Sequence, residues 1–205
     1  FCCENDKKSV NTYKANFTQE EEIFGDIKKL KTEDISGTIK NHDLLLAGFP
    51  CPAFSLAGIV KRNSLNRKHG FADRKGNLFP DIVRILKIKK PKIFLLENVP
   101  HIKSHNEGKT FKKILKDLER IGYYVPTPKV LSSLDFGLPQ KRRRIYIVGF
   151  LKFTLFNYPG ALNKKNDVAS ILEKNIDPKY FISRKLWTSH KARKERNKKR
   201  GVGFG

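Results

Sequence analysis

Residues 93–100 read IFLLENVP, and the interpretation of the whole sequence starts from this stretch. Its first four residues, Ile93–Leu96, are all apolar, which is typical of a strand covered on both faces in a parallel sheet. The strand runs directly into the carboxylate of Glu97. Because ligand-bearing loops in such sheets follow the carboxyl ends of the strands, Glu97 lies where a functional side chain is expected.

Similar patterns on both sides extend this strand into a fold. Further strands are predicted at Phe1–Cys3, His42–Ala47 (HDLLLA) and Ile145–Phe150 (IYIVGF). Helices are predicted at Lys7–Asn16, Leu78–Leu86 and Phe111–Ile121, the last two from apolar residues at spacings of three and four. This alternation predicts an α/β fold with an open, mostly parallel sheet. Strand signals without an intervening helix in residues 123–150 predict a terminal antiparallel hairpin.

The pattern loosens after Tyr158-Pro159-Gly160, where we place a domain boundary. Residues 1–158 are predicted to form one domain, and residues 159–205 a linker and the start of a second region. The sequence begins at Phe1, contains no methionine and shows no basic-then-apolar leader. We therefore expect it to be a piece of a longer protein.

Composition excludes several classes of protein. No apolar run approaches the roughly 18–20 residues that span a bilayer, so no membrane association is expected. Three cysteines, of which Cys2 and Cys3 are adjacent, do not make a disulfide scaffold. Since there is no CxxC pair and no His/Cys cluster at ligand spacing, we predict no metal site. Such cysteine usage is typical of a reducing compartment.

The net charge of +23 is unevenly distributed along the chain. Residues 1–60 have seven Lys and Arg against nine Asp and Glu, so the positive charge lies after residue 60. Lys179–Arg200 holds ten Lys and Arg with one acid, Glu195. Segments of this kind usually bind phosphates, which favours nucleic acid as the partner. A solvated lysine-rich surface is the alternative, and an anionic membrane is disfavoured because the segment lacks a long apolar face.

Three segments that carry chemically reactive or charged side chains follow or precede the predicted strands. Gly48–Ser55 (GFPCPAFS) presents one thiol, that of Cys51; Glu97-Asn98-Val99 ends the central strand; and Gln140–Arg144 (QKRRR) precedes the last strand. Together they offer a nucleophile, a hydrogen-bonding carboxyl group and guanidinium groups. This set suits attack on an electron-poor ring that is attached to a phosphate backbone.

These segments resemble, in order, the nucleophile, ENV and QxRxR motifs of DNA cytosine-5 methyltransferases. Cys51, Glu97 and Gln140 are separated by 46 and 43 residues. Gly76–Phe79 (GNLF), Gly25-Asp26-Ile27 and Glu4 resemble flanking motifs of the family. The resemblance spans about Phe1–Phe150, and Ile182–Gly205 resembles the start of a bacterial target-recognition region.

The resemblance implies a Rossmann-like, S-adenosylmethionine-dependent methyltransferase fold and methyl transfer to C5 of cytosine in a specific double-stranded DNA sequence. Cys51 would add to C6 of the ring, and Glu97 would contact N3 and the exocyclic amine. Arg142 and Arg144 would hold the base carbonyl or nearby phosphates. The target cytosine would be flipped out of the duplex.

The resemblance also implies binding residues. For S-adenosylmethionine, Glu4 would bind the ribose, Asp26 the adenine amine and Ile27 the ring, while Phe49, Pro50 and Leu78 would line the wall. Ser55, Asn98 and Gln140 are predicted on the substrate side, with Ser55 near a DNA phosphate.

The wider expectations are a bacterial, cytoplasmic and nucleoid-associated monomer, paired genetically with a restriction endonuclease. Two alternatives stay open: a tRNA cytosine-5 methyltransferase, and a non-catalytic nucleic-acid-binding relic. The relic is suggested by Pro52, which stands where the family commonly has Gln. The first cofactor motif and most of the target-recognition domain are not found in the 205 residues. We therefore expect these residues alone to be inactive, and the DNA sequence that is methylated cannot be read from them.

Overall fold

A computed structural model describes residues 1–17, 23–49, 78–162, 164 and 166–201. The chain forms two compact units, Phe1–Lys165 and Asn166–Gly205. The strands are β1 (Cys2–Cys3), β2 (Ile23–Phe24), β3 (Leu44–Gly48), β4 (Ile93–Asn98), β5 (Lys129–Ser132) and β6 (Arg143–Phe150). The α-helices are α1 (Lys7–Asn16), α2 (Ile35–Thr38), α3 (Phe79–Lys89), α4 (Lys109–Arg120) and α5 (Arg184–Lys199). Short 3₁₀ helices lie at Ile27–Lys29, Pro100–Lys103, Ser133–Phe136, Val168–Ile171 and Pro178–Tyr180.

The main sheet has the strand order β3-β4-β6-β5. β3 and β4 are parallel, while β6 is antiparallel to both β4 and β5. β1 and β2 form a separate parallel pair. The predicted strands and the terminal antiparallel hairpin are therefore confirmed, and the described ladders divide evenly between parallel and antiparallel pairing.

β4 is an inner strand of the sheet, between β3 and β6, and its side chains alternate in burial, with Phe94, Leu96 and Asn98 on the buried face. The Phe94 ring meets Tyr123 edge-on at 5.0 Å between centroids. On β6, Gly149 lies directly opposite Phe94, and a Cβ atom at position 149 would stand 2.2 Å from the Phe94 ring. Only a glycine lets the two strands pair around this aromatic ring.

Helices α3 and α4 supply the apolar faces that cover the sheet. α3 begins after Leu78 with a proline in its first turn, and it ends at Lys90, whose φ of 46° is left-handed. α4 follows Gly108, which has a φ of 79°. The residues they bury in the main core are Phe79, Ile82 and Leu86 from α3, and Phe111, Ile114 and Leu118 from α4.

A second, smaller core fixes the segment between β2 and β3 against α3. Ile35 and Ile39 are fully buried and cluster with Ile85 of α3, with Ile27 and Leu30 packed at the edge. The two short helices of this segment, Ile27–Lys29 and Ile35–Thr38, bury their apolar side chains against α3, so the position of the segment depends on contacts with α3. That dependence matters for the site described below.

The second unit is built differently. Helix α5 begins at a Ser183 cap, whose hydroxyl accepts a hydrogen bond from the Leu186 backbone N–H at 3.3 Å. No residue is buried between 166 and 201. In the part of the chain that the structure describes, no helix combines the length and the apolar character needed to cross a bilayer.

Candidate functional site

Glu97 lies near the carboxyl end of β4, beside the carboxyl end of β3. The parallel register pairs Gly48 with Glu97. A Cβ atom at position 48 would lie 3.6 Å from Glu97 Oε2, so the glycine keeps the flank of the carboxylate open. This edge of the sheet is therefore a place where a carboxylate is accessible next to a strand end, as the sequence predicts.

Two guanidinium groups converge on the same oxygen of Glu97. Arg144 Nε lies 2.7 Å from Glu97 Oε1, and Arg142 Nη2 lies 3.9 Å from it. The side chains of Arg144 and Glu97 are 22% and 33% exposed, whereas that of Arg142 is 54% exposed. Arg144 also donates to the Arg143 carbonyl at 2.8 Å. Arg144 thus fixes the carboxylate, and Arg142 is the more available of the two cations.

The turn between β5 and β6 holds these arginines in place. Ser133 is its anchor: its hydroxyl donates to the Gln140 carbonyl and accepts a hydrogen bond from the Arg142 N–H at 3.2 Å. The Ser133 N–H donates to the Arg142 carbonyl at 3.1 Å. The backbone of Gln140 is therefore fixed while the residue itself is exposed.

Asn98 points to the other face of β4 and is 2% exposed. Its side-chain amide donates to the Phe49 carbonyl at 3.3 Å, and its Oδ1 accepts from the Val99 N–H at 2.8 Å. Phe49 is buried against Phe79, with ring centroids 5.7 Å apart. Asn98 therefore ties the end of β4 to the residue that leads into residues 50–77; its predicted role toward substrate stays a prediction.

Pro50, Cys51 and Ser55 lie outside the described residues, as do Gly76 and Asn77 of the GNLF motif. Their predicted roles stay predictions. The last described residue before them, Phe49, is one position beyond β3 and two positions before Cys51.

A cavity of about 560 Å³ opens beside β3. Five of the six residues predicted to bind the cofactor line it: Glu4, Asp26, Ile27, Phe49 and Leu78. Its remaining walls are largely apolar, with Leu45, Ala47, Ile82 and Ile85 among them. Residues from four separate parts of the sequence thus meet in one cleft, although a role for each of them in binding stays a prediction.

Each of the two acidic residues of the cavity lies in a turn, and its side chain accepts a hydrogen bond from a backbone N–H of that turn. Glu4 Oε1 accepts from the Asp6 N–H at 2.8 Å, and Asp26 Oδ1 accepts from the Lys28 N–H at 3.0 Å. Between them, the thiol of Cys3 donates to the Gly25 carbonyl at 3.0 Å. Burial raises the pKa of Cys3 to about 11, with the neighbouring Cys2, Asp26 and Glu4 adding to the shift. Cys3 is therefore a thiol, not a thiolate, at neutral pH.

Arg84 is a residue of this region that sequence reasoning missed. It lies on α3 and reaches the carbonyls of Leu30, at 2.5 Å, and of Ile27, at 3.3 Å. It also contacts Thr32 Oγ1 at 3.3 Å and Asp81 Oδ1 at 3.1 Å. The available signal in the sequence was a positively charged residue between buried positions of a helix, because a charged group in such a place requires hydrogen-bond partners.

Solved structures share this architecture. The methyltransferase EhMeth of Entamoeba histolytica superposes with a TM-score of 0.66 at 24% identity, over 91% of this chain and 55% of that one. The Dnmt2 methyltransferase of S. pombe gives a TM-score of 0.64 at 19% identity, over 92% of this chain and 56% of that one. The likeness defines the class of fold, which is the Rossmann-like α/β fold of S-adenosylmethionine-dependent methyltransferases, as predicted.

Residues 1–205 match the C-5 cytosine-specific DNA methylase family, and the chain belongs to it. It is 49% identical over 210 residues to the Type II methyltransferase M1.ScrFI of Lactococcus lactis subsp. cremoris. It is 47% identical over 206 residues to the Type II methyltransferase M.NlaX of Neisseria lactamica. It is 38% identical over 237 residues to the DNA-cytosine methyltransferase of Escherichia coli K12.

Each of these three alignments includes all of this chain. They cover 50%, 61% and 50% of the respective relatives. The chain therefore spans between half and three fifths of the length of the relatives named here.

Proposed function

We propose that this chain carries the catalytic centre of a methyltransferase that acts on C5 of cytosine in double-stranded DNA. The observation that supports this most strongly is the carboxylate of Glu97, fixed by Arg144 at 2.7 Å beside the end of β3. The chain leaves β3 at this point and reaches Cys51 three residues after Gly48. A thiol that follows this sheet edge closely in the sequence and an oriented carboxylate are the two groups that such a reaction needs.

Cys51 is the proposed nucleophile because cytosine C5 is too weak a nucleophile to be methylated directly. The thiolate adds to C6, which forms an S–C6 bond and moves the C5–C6 π electrons onto C5. After C5 has been methylated, it loses its proton, and the electron pair of that C–H bond reforms the double bond and expels the thiolate. Cys51 is thus regenerated, and 5-methylcytosine is released.

Glu97 acts on the opposite edge of the ring. Its carboxyl group gives its proton to N3, where negative charge builds up as the thiolate adds to C6, and accepts a hydrogen bond from the exocyclic amine. Arg144 holds the carboxyl group in one orientation, and this fixed geometry lowers the cost of reorganisation in the transition state. Arg142 is more exposed and is suited to the base carbonyl or to a phosphate next to the flipped nucleotide.

The cavity beside β3 fits S-adenosylmethionine. Its two carboxylates, those of Glu4 and Asp26, are acceptors that match ribose hydroxyls and an adenine amine. Ile27, Phe49 and Leu78 add apolar surface for a planar ring. When bound, S-adenosylmethionine supplies an electrophilic methyl group.

Double-stranded DNA is the proposed substrate, with the target cytosine flipped out because C5 and C6 cannot be reached inside a stacked duplex. The basic helix α5 supports this partner, since it carries eight of the ten Lys and Arg residues of segment 179–200. The relatives M1.ScrFI and M.NlaX are both Type II methyltransferases, which supports a pairing with a restriction endonuclease. We further propose that the protein is a monomer, and that it works in the bacterial cytoplasm on the nucleoid.

Transfer of a labelled methyl group from S-adenosylmethionine tests the proposal. The purified full-length protein that contains these residues is incubated with duplex DNA, with the same strand unpaired, and with tRNA, and the modified nucleosides are identified by mass spectrometry after digestion. We expect 5-methylcytosine in the duplex. Cys51→Ser keeps the size of the side chain but replaces the thiolate with a hydroxyl group, which is un-ionised at neutral pH, and should abolish the label.

Labelling of tRNA in preference to duplex DNA would replace the proposed substrate with RNA. Binding to DNA without methylation of any of the three substrates would favour a non-catalytic nucleic-acid-binding protein. A Cys51→Ser variant as active as the wild type would rule out the covalent route.

A further inference from the structure

Arg84 joins two elements that both border the cavity. It lies in the middle of α3, whose Ile82 and Ile85 form part of the cavity wall. Its guanidinium group reaches a backbone segment 54 to 57 residues earlier in the sequence, between β2 and α2. Its side chain is 22% exposed, so these hydrogen bonds are made in a largely dehydrated place.

The hydrogen bonds fall on both ends of one short turn. The 3₁₀ helix Ile27–Lys29 begins with Ile27 and is followed by Leu30, and Arg84 binds the carbonyl of each. The residue that caps this turn is Asp26, through the contact of its carboxylate with the Lys28 N–H. The guanidinium group therefore fixes, from outside the cavity, the turn that presents Asp26 and Ile27 to its interior.

We propose that Arg84 is a positioning residue for the nucleoside end of S-adenosylmethionine, which acts by holding the Asp26–Ile27 turn against α3. The inference rests on the proposed function, because it assumes that the cavity binds this molecule. Arg84 does not line the cavity, so it contributes to binding through the turn and not by contact with the ligand.

The chemistry of the side chain explains why an arginine is needed here. One planar group supplies Nη1 to the Leu30 carbonyl and Thr32, and Nη2 to the Ile27 carbonyl and Asp81. A lysine ammonium is a single point donor on a flexible stem and cannot span two carbonyls and a carboxylate in this arrangement. Asp81, one turn earlier on α3, balances the positive charge of Arg84 and orients its guanidinium group.

Lys89 offers a matched control on the same helix. Its Nζ donates to the Ser36 carbonyl at 2.8 Å and lies 3.5 Å from Asn41 Oδ1. Like Arg84, it ties α3 to the segment before β3, but its partners lie beyond the turn that carries Asp26 and Ile27. Substitution of either residue should therefore lower the stability of the protein, whereas only substitution of Arg84 should weaken ligand binding.

The test measures binding of S-adenosylmethionine by calorimetry to the full-length protein that contains these residues, as the wild type and as Arg84→Met, Arg84→Lys and Lys89→Met. We expect the dissociation constant to rise about tenfold in Arg84→Met, because the turn loses its charged hydrogen bonds. Arg84→Lys should lie between the wild type and Arg84→Met, and Lys89→Met should bind as the wild type does. In methyl transfer, Arg84→Met should raise the KM for S-adenosylmethionine and leave kcat within about twofold.

The outcomes separate the inference from the function it rests on. If the wild type does not bind S-adenosylmethionine, the proposed function fails and the inference fails with it. If the wild type binds S-adenosylmethionine, and Arg84→Met and Arg84→Lys both bind it as tightly as the wild type does, only the inference is overturned. Equal weakening in Lys89→Met and Arg84→Met would assign Arg84 a purely structural role and would also overturn it. If Arg84→Met does not fold, Arg84→Lys, which keeps the charge and the stem, is compared with the wild type alone. Weaker binding of S-adenosylmethionine then supports the inference, and unchanged binding overturns it.

Discussion

The sheet edge of the first unit that carries Glu97 and the basic helix of the second unit present charge in opposite ways. Glu97 and Arg144 are paired at 2.7 Å on a sheet that has a buried core. Helix α5 has exposed cations on all sides and no buried residue. The difference teaches that bond-making chemistry needs fixed geometry, whereas phosphate binding needs mainly charge density. Substitutions in the two regions should therefore have effects of different size and different salt dependence.

The largest effect is expected for Glu97→Gln. The amide has nearly the same shape but neither a negative charge nor an acidic proton, so it loses the ion pair with Arg144 and cannot give a proton to N3 of the cytosine ring. We expect kcat for DNA methylation to fall about a hundredfold to a thousandfold, with the fold retained by circular dichroism. Glu119→Gln, an exposed glutamate on α4, is the control and should leave kcat unchanged. A fall of less than about threefold for Glu97→Gln would mean that the fixed carboxylate is not part of the chemistry.

Gly149→Ala should destabilise the first unit. Its methyl group would stand 2.2 Å from the Phe94 ring, so β4 and β6 must separate or the ring must leave the core. We expect a loss of about 2–3 kcal/mol in the free energy of unfolding, measured with urea. Gly160→Ala, where nothing lies within 4 Å of the added methyl group, should be close to neutral. Equal stability of the two variants would show that the core does not hold the sheet in the register described.

Asn98 allows the link between β4 and the Cys51 segment to be tested separately from the fold. Asn98→Asp keeps the acceptor for the Val99 N–H but loses the donor to the Phe49 carbonyl. We expect a cost of about 1–3 kcal/mol in stability, because a buried carbonyl loses its donor. We also expect a slower rate of covalent attachment to DNA, measured by rapid quench. An attachment rate equal to that of the wild type would show that Asn98 does not position the nucleophile segment.

The smallest effects are expected in α5 and should depend on salt. Lys185 and Lys198 are exposed, at opposite ends of the helix. Replacing both with Gln should reduce the slope of log K against log salt concentration for duplex DNA by up to about 1.8, since each lost phosphate contact removes about 0.9. Lys112→Gln with Lys116→Gln on α4 removes the same charge from another exposed surface and should change the slope less. Equal slopes for the two double variants would show that α5 has no special part in DNA binding.

Much of the fold could be predicted because its central strands are apolar and uninterrupted. His42–Ala47, Ile93–Leu96 and Ile145–Phe150 were predicted, and the strands run over Leu44–Gly48, Ile93–Asn98 and Arg143–Phe150. β2 was missed because two residues are too short to show any period. Helix α5 was missed for another reason: its residues are polar on all sides, so there is no apolar face to recognise.

Site residues could be predicted where a sequence motif identifies their side chains. They were missed where their role depends on contacts with backbone groups. The resemblance pointed to Glu97, Arg142 and Arg144, and the structure brings these three together. It also pointed to Glu4 and Asp26, which share one cavity. Arg84 could not be assigned from the sequence, because two of its partners are backbone carbonyls more than 50 residues away. A carbonyl leaves no trace in the identity of its residue.

The central claim is that the sulfur of Cys51 bonds to a cytosine whose other edge is held by Glu97. The most direct measurement uses duplex DNA in which the target base is 5-fluorocytosine. Because the fluorine at C5 cannot leave as a proton does, the S–C6 bond persists and the protein–DNA adduct can be digested and mapped by mass spectrometry. Cys3, with its pKa raised to about 11 by burial, serves as the internal comparison at neutral pH. We predict an adduct on Cys51 that is lost in Cys51→Ala and formed more slowly in Glu97→Gln. An adduct on Cys2 or Cys3 would contradict this prediction. So would the absence of any adduct with protein that methylates unmodified DNA.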